Sequence, residues 1–212
     1  MKQKDQGRKM RSICVYCGSG PGNDPIFTEA AHDLGEIFAR ERIRGVFGGG
    51  SLGLMGAFST GIRSHGGKLV AVIPQSLFEK EQPIVPINND DPDASYRLIV
   101  AADMYDRKRN FRLHSDAFVA LPGGAGTRDE IWEELTGIQI GHHKKPLVLV
   151  NIMNRFQHII ADIAQMREDG FIRPGLEFDG LFAVVASVAY VLPALRRMTG
   201  DNSSVVQLHQ AG

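Results

Sequence analysis

Short apolar segments alternate with helical segments along the whole chain, and this alternation restricts the fold more than any other feature. The apolar runs are typical of buried strands, and the segments between them repeat apolar residues every three or four positions, as amphipathic helices do. The predicted strands are 11–19, 46–47, 69–74, 97–101, 117–121, 147–150 and 181–185. The predicted helices are 25–44, 54–64, 103–114, 128–140, 155–168 and 187–198. This order predicts a single α/β domain, a three-layer, Rossmann-like, doubly wound parallel sheet.

Length and composition set the limits of that domain. In the 212 residues we expect a flexible arm over 1–10, the folded domain over 11–198 and a flexible tail over 199–212. The 24 basic residues balance the 24 acidic ones, so the charge does not favour binding to nucleic acid or to a membrane surface. The sequence shows no bilayer-spanning run, no secretory signal and only two cysteines, so we expect a cytoplasmic protein.

A first glycine-rich loop, FGGGSLGLMG at 47–56, connects a predicted strand to a helix. Gly48, Gly49 and Gly50 allow a close approach of the backbone to a ligand, and the helix N-terminus that follows favours phosphate. The loop has the G-x-G-x-x-G spacing of dinucleotide sites, but the next strand ends without the acid of a NAD site, and the loop lacks the lysine of a P-loop. We interpret it as a mononucleotide or phosphate site, with tight strand–helix packing as the alternative.

A second loop, LPGGAGTRDE at 121–130, has the same position between a strand and a helix. Thr127 is a candidate N-cap, and Glu130 follows it at the spacing of a capping box, in which each side chain would bond to the other residue's backbone N–H. In the second interpretation Thr127 caps the helix or contacts phosphate, while Glu130 points into the cleft as a catalytic carboxylate. The spacing alone favours the capping box.

Three acids, Glu130, Glu133 and Glu134, recur on one face of the helix after this loop. A solvated helix face would have the same pattern. An acidic cluster beside two glycine-rich loops is harder to explain in that way, so we retain these residues as candidates for a site.

The helix predicted at 103–114 is rich in basic residues and begins at the edge of the sheet where ligands bind. Its Arg107 and Lys108 could hold phosphate or ribose oxygens, since a guanidinium group donates two hydrogen bonds in parallel. Asp103 precedes Arg107 by four residues, so a surface salt bridge between them is the alternative.

Other candidates are better explained by structure than by chemistry. Cys14 and Cys17 have redox spacing but fall on opposite faces of a strand, so we expect core thiols. His142 and His143 have no partner at metal-ligand spacing and are expected to neutralise the C-terminus of a helix. Trp132 is expected in packing or at an interface.

Taken together, GGGSLGLMG, MYDRK and PGGAGTRDE resemble the LONELY GUY (LOG) family of cytokinin riboside 5'-monophosphate phosphoribohydrolases, in consistent order over 11–198. The resemblance implies a homodimer or a higher oligomer that hydrolyses the N-glycosidic bond of adenine-type nucleoside 5'-monophosphates, including AMP or N6-modified AMP, without metal or cofactor. It implies Arg107 and Glu130 as catalytic residues. The predicted nucleotide-binding residues are Gly48, Gly49, Gly50, Glu81, Arg107, Lys108, Gly123, Gly124, Ala125, Gly126, Thr127, Arg128, Asp129 and Thr136.

The sequence departs from the family pattern near the expected base pocket. Tyr105 stands where the family usually has histidine, Ala125 where an aromatic residue is common, and the loop 82–95 is longer. The preference between adenine and N6-prenylated adenine therefore stays open. Two other functions also stay open: a non-catalytic nucleotide or cofactor carrier, and a general AMP nucleosidase without a role in cytokinin activation. A PLP-dependent lysine decarboxylase is disfavoured, because no lysine has a recognisable Schiff-base context.

Overall fold

Among the residues that the computed structural model describes (10–78, 95–172, 175, 178 and 180–201), seven parallel strands form one sheet. Their order is β4-β3-β2-β1-β5-β6-β7, so the direction of strand addition reverses at β1. The strands are β1 (Ser12–Tyr16), β2 (Arg44–Phe47), β3 (Leu69–Pro74), β4 (Tyr96–Ala101), β5 (Ala117–Ala120), β6 (Leu147–Val150) and β7 (Phe182–Val185).

The helices alternate with the strands as the sequence predicted. They are α1 (Pro25–Arg40), α2 (Gly53–Ser64), α3 (Met104–Leu113), α4 (Ala125–Gln139), α5 (Gln157–Glu168) and α6 (Val191–Thr199). Short 3₁₀ turns lie at Gln75–Leu77, Ile152–Asn154 and Val188–Tyr190. Over the described residues, no helix has both the length and the apolar character needed to cross a bilayer.

Two apolar cores cover the two faces of the sheet. One core packs α1, α2 and α6 on one face, and the other packs α3, α4 and α5 on the opposite face. Both cores form because successive side chains of a strand point to opposite faces, as Val15 and Tyr16 of β1 do. The three-layer, doubly wound α/β fold is thereby confirmed. Cys14 and Cys17 are buried free thiols on opposite faces, as expected, and burial raises the pKa of both.

Helix α1 ends earlier than the apolar pattern predicted. Arg42 adopts a positive φ of 56°, which turns the chain out of the helix and towards β2. Gly45, expected to terminate the helix, instead lies inside β2, where a Cβ atom would be 2.5 Å from Ile62 and 2.8 Å from Phe58 of α2. This glycine is thus needed for strand–helix packing rather than for a turn.

Residues at both boundaries of the predicted domain are part of the folded structure. The backbone N–H of Met10 donates to Oδ2 of Asp201 at 3.3 Å, and both residues are buried. Thr199 and Gly200 at the start of the predicted tail are the last residue and the C-cap of α6. Residues 1–9 and 202–212 lie outside the described residues, so their flexibility stays a prediction.

Candidate active site

The loops after β1 and β5 lie side by side at the carboxyl edge of the sheet, because the strand order reverses between these two strands. The N–H of Gly18 donates to the carbonyl of Pro122 at 3.1 Å. A Cβ atom on Gly123 would lie 2.8 Å from the Gly18 nitrogen and 2.1 Å from Oγ1 of Thr127. A glycine at 123 therefore allows the two loops and the start of α4 to come together.

A cavity of about 800 Å³ opens at this point of the sheet, large enough for a small-molecule ligand. Ser19 and Gly20 line it from the loop after β1, Gly123 and Gly124 from the loop after β5, and Asn154 from the segment after β6. Sequence analysis missed the contribution of the loop after β1. The closely spaced glycines after the first strand were the available signal, since ligands bind where the strand order reverses.

The N-terminus of α4 is open to a ligand. Gly124 is the N-cap in an extended conformation, without a side-chain hydrogen bond to the cap, and Gly124, Ala125 and Gly126 are all exposed. A Cβ atom on Gly124 or Gly126 would meet nothing within 4 Å. Because the first N–H groups of a helix have no intrahelical acceptor and carry partial positive charge, this turn is suited to bind an anion.

The predicted capping role of Thr127 is wrong. Helix α4 begins three residues earlier than expected, at Ala125, so Thr127 lies within the first turn and is buried against Gly123. The capping box is wrong as well, since the carboxylate of Glu130 contacts Arg107 instead of returning to a cap. Glu130 is therefore not a capping residue, and its catalytic role stays a prediction.

Glu130 and Arg107 form a buried ion pair between α4 and α3. Nη1 of Arg107 lies 3.2 Å from Oε1 of Glu130, and the two side chains are 12% and 7% exposed, respectively. Nε of Arg107 donates to the carbonyl of Val72 at 3.3 Å, and its guanidinium lies 4.8 Å from the centre of the Phe111 ring. A Cβ atom on Gly48 would be 2.4 Å from Nη2 of Arg107, so the first glycine loop makes room for this side chain.

Arg107 does not form the alternative salt bridge with Asp103. Asp103 instead caps α3, and its Oδ1 accepts a hydrogen bond from the N–H of Asp106 at 2.8 Å. Arg107 is thus directed inward to Glu130, which brings together the two residues predicted to be catalytic.

Burial raises the pKa of Glu130 to about 7, although the positive charge of Arg107 opposes this shift and the nearby Asp129 adds to it. Near neutral pH the carboxyl group is therefore present in both its protonated and its ionised form. A carboxylate with such a pKa is suited to exchange protons or to stabilise positive charge at neutral pH.

This raised pKa predicts a stability effect at position 130. The folded chain binds the proton of Glu130 more tightly than the unfolded chain does. The protonated carboxyl group therefore adds to the free energy of unfolding in full below about pH 4.3, and this addition is lost as the pH rises through about 7. We expect Glu130→Gln, which cannot ionise, to be more stable than wild type by about 3 kcal/mol at pH 8 and nearly equal at pH 4.5. Urea unfolding at both pH values measures this, and a difference that does not change with pH would contradict the assignment.

A second buried acid, Glu134, lies one turn after Glu130 on α4. Its carboxylate accepts hydrogen bonds from the hydroxyl of Tyr16 at 3.1 Å and from Nε of Arg112 at 3.2 Å, and Nε2 of His143 lies 2.9 Å away. Sequence analysis placed His143 at a helix C-terminus, counted Arg112 only among the basic residues of the helix predicted at 103–114, and missed Tyr16. These contacts join residues far apart in the chain, and no local spacing indicated them.

The acidic face of α4 is not a solvated surface. Lys108 contacts Asp129 at 3.3 Å and Glu133 at 3.2 Å, and Arg112 contacts Glu133 at 3.1 Å. Each of these acids thus faces a basic residue of α3, and the two helices are connected by charge as well as by packing.

The remaining predicted residues differ in their relation to the site. Arg128 donates through Nη1 to the carbonyls of Gly123 at 2.6 Å and Gly124 at 3.2 Å, so it supports the loop. Thr136 is exposed and lines a separate groove on the outer side of α4 with Trp132. The chain therefore does not bring Thr136 to the glycine loops, and Glu81 lies outside the described residues.

The first glycine loop is closely packed. Gly49 has a φ of 83° and Gly53 a φ of 58°, and a Cβ atom on Gly53 would lie 2.1 Å from the carbonyl oxygen of Ser19. Gly48, Gly49 and Gly50 are all buried. These contacts favour the packing interpretation of the loop, and a phosphate contact there stays a prediction.

Comparison with solved structures shows the same fold. The chain is similar to the molybdenum cofactor carrier protein of Chlamydomonas reinhardtii, with a TM-score of 0.62 over 91% of this chain and 99% of that one. The two sequences are 23% identical, so the similarity concerns the fold alone.

Comparison with sequences shows a closer relationship. A family model described as possible lysine decarboxylase matches residues 55–195. The cytokinin riboside 5'-monophosphate phosphoribohydrolase LOG5 of Arabidopsis thaliana is 36% identical over 166 residues, which cover 78% of this chain and 69% of that protein. Its paralogue LOG3 is 38% identical over 169 residues, 80% of this chain and 75% of that protein. The chain therefore belongs to the LOG family, whose family model carries the lysine decarboxylase description.

Proposed function

We propose that the chain hydrolyses the N-glycosidic bond of adenine-type nucleoside 5'-monophosphates, cytokinin riboside monophosphates among them, to free base and ribose 5-phosphate. The observation that carries the proposal is the buried contact of 3.2 Å between Arg107 of α3 and Glu130 of α4, the helix whose open N-terminus is suited to a phosphate. The names of the Arabidopsis relatives agree with this reaction.

The chemistry requires a carboxylate at the sugar. Cleavage of the C–N bond builds positive charge at C1' and negative charge on the departing base, as in glycoside hydrolysis. The ionised form of Glu130 would stabilise the positive charge and orient or deprotonate the attacking water. Its pKa of about 7 leaves a substantial ionised fraction at neutral pH.

The backbone N–H groups of Gly124 to Thr127 would bind the phosphate and thereby fix C1' against Glu130. Arg107 is itself held by its hydrogen bond to the Val72 carbonyl, and it donates a second hydrogen bond to the carboxylate of Glu130. Its guanidinium would also contact ribose or phosphate oxygens. None of these steps requires a metal or redox cofactor, and we place the reaction in the cytoplasm.

A panel of substrates tests the proposal. The protein is incubated with AMP, N6-isopentenyl-AMP, other nucleoside 5'-monophosphates and the matching nucleosides, and released bases are separated by chromatography. We expect release from adenine-type monophosphates, and release from adenosine at least about a hundredfold slower, because phosphate binding contributes to positioning. Equal rates for AMP and adenosine, or no release from any monophosphate, would contradict it.

The same panel separates the two other functions. A general AMP nucleosidase would release adenine from AMP as fast as it releases the N6-modified base. A carrier, the function named for the Chlamydomonas neighbour, would bind a ligand without releasing base. A carrier has no need of a buried carboxylate with a pKa of about 7 paired to arginine, so Glu130 favours the enzyme.

We also propose that the outer surface of α3 and α4 is a dimer interface. Large apolar side chains are exposed on these two helices or at their ends, Tyr105 at 81%, Leu113 at 64% and Ile140 at 55%, and the half-buried Trp132 lines a groove with Ile140. Thr136 lies on this surface, so a dimer would bury it.

Light scattering should give twice the chain mass, and the double variant Leu113→Arg/Ile140→Arg should give a monomer. A monomeric wild-type protein at micromolar concentration would contradict the interface.

A further inference from the structure

Helices α1 and α2 are in direct backbone contact on the face of the sheet opposite α3 and α4. A Cβ atom on Gly61 would lie 2.1 Å from the carbonyl oxygen of His32, and one on Gly35 would lie 2.3 Å from the carbonyl oxygen of Phe58. Glycine at both positions lets the helices approach this closely. The last turn of α2 is thereby held against the middle of α1.

This approach places a histidine of α2 next to a three-residue cluster of donor groups on α1 at the surface. His32, Asp33 and Glu36 of α1 have ligand atoms that all lie within 4.8 Å of one another. Nδ1 of His32 is 3.9 Å from Oδ1 of Asp33. His65, the C-cap of α2, places its Nε2 3.4 Å from Oε1 of Glu36. Two helices therefore supply the donor atoms.

The ring of His65 is oriented as in metal-binding histidines. Its Nδ1 lies 3.1 Å from the carbonyl oxygen of Gly61 and its Nε2 faces Glu36, so in the neutral tautomer with Nδ1–H the lone pair of Nε2 is available to an ion. Metal-ligating histidines typically donate their other ring N–H to a carbonyl or carboxylate in this way. The separation of 3.4 Å also fits neighbouring ligands of a tetrahedral ion, which lie roughly 3.4 Å apart when metal–ligand bonds are about 2.0–2.1 Å.

We propose that His32, Asp33 and Glu36 bind a divalent transition metal, that His65 becomes the fourth ligand through its contact with Glu36, and that the ion clamps α1 to α2. Mixed imidazole and carboxylate donors in a tetrahedral arrangement suit zinc best. The site is structural, because it lies at the end of α2 remote from the glycine loop and the catalytic pair. Glu36 also contacts the exposed Arg40, and a bound ion replaces that contact.

Zinc titration of the full chain, after treatment with a chelator, tests the proposal. Calorimetry with zinc chloride should give one ion per chain, and zinc at a hundredfold excess over Kd should raise the Tm by about 5 to 10 °C. His65→Ala and His32→Ala should each weaken binding at least about tenfold. His158→Ala, an exposed histidine of α5 outside the cluster, is the matched control and should bind zinc as wild type does.

The Arg40→Ala variant is expected to change zinc affinity in the opposite direction to the histidine variants. Removing this guanidinium frees Glu36, so zinc should bind the variant at least as tightly as wild type. The metal-free His65→Ala variant should release base at the wild-type rate, because His65 lies away from the glycine loops. Circular dichroism checks that this variant is folded, and His65→Gln replaces it if it is not. The proposal is overturned if the His65 variant binds zinc with wild-type affinity, or if millimolar zinc leaves the wild-type Tm unchanged.

Discussion

Glu130→Gln is expected to lower kcat for base release from AMP at least about a thousandfold while AMP binding changes less than about threefold. Glutamine keeps the shape of the side chain and still accepts the hydrogen bond from Arg107, but it can neither ionise nor take a proton from water. The variant therefore loses stabilisation of the transition state, in which positive charge develops at C1'. Steady-state kinetics by chromatography of released adenine, together with calorimetric AMP binding, separates the two quantities.

Glu168→Gln, at an exposed glutamate of α5, is the control for this variant and should keep wild-type activity. If Glu130→Gln retains activity within threefold of wild type, the carboxylate has no catalytic role and the hydrolase mechanism is wrong. Loss of AMP binding together with activity would instead make Glu130 a binding residue.

Arg107→Lys is expected to lower kcat/KM by about a hundredfold to a thousandfold, although it keeps the positive charge. Arginine donates to the Val72 carbonyl through Nε and to Glu130 through Nη1 at the same time, and a lysine ammonium cannot reproduce this planar fork. Weaker stabilisation of the ionised carboxylate should also move the rise of kcat/KM with pH above its wild-type position near 7. Rate measurements from pH 5 to 9 give both results.

Arg109→Lys is the matched control, since Arg109 is an exposed residue of the same helix. It should leave both the rate and the pH profile unchanged. A wild-type pH profile in Arg107→Lys would show that the guanidinium does not determine the ionisation of Glu130, and the electrostatic account of the pair would then be wrong.

The architecture could be predicted from the sequence because it depends on local patterns. Buried strands such as 69–74 and 147–150 are continuous apolar runs, and the structure places both at the predicted residues. The ends of two helices were predicted less accurately, because the backbone conformation of a single residue determines each of them. The positive φ of Arg42 ended α1 early, and an extended Gly124 started α4 three residues before the predicted N-cap at Thr127.

The pairing of Arg107 with Glu130 was predictable only in part. The alternation of strands and helices placed Arg107 and Glu130 at the same edge of the sheet, but their 3.2 Å contact joins different helices and depends on tertiary packing. Local spacing favoured a capping box for Glu130 and a surface salt bridge for Arg107, and tertiary contacts replaced both. The support of Glu134 by Tyr16 has no signature in a single sequence, because the residues are 118 positions apart.

The crystal structure of Glu130→Gln with bound AMP tests the central claim most directly, since the variant should bind the nucleotide without cleaving it. We predict the phosphate on the backbone N–H groups of Gly124 to Thr127, and the side chain of residue 130 within about 4 Å of C1'. An AMP molecule whose phosphate lies elsewhere, or whose C1' is on the order of 8 Å or more from residue 130, well beyond near-attack range, would contradict the account.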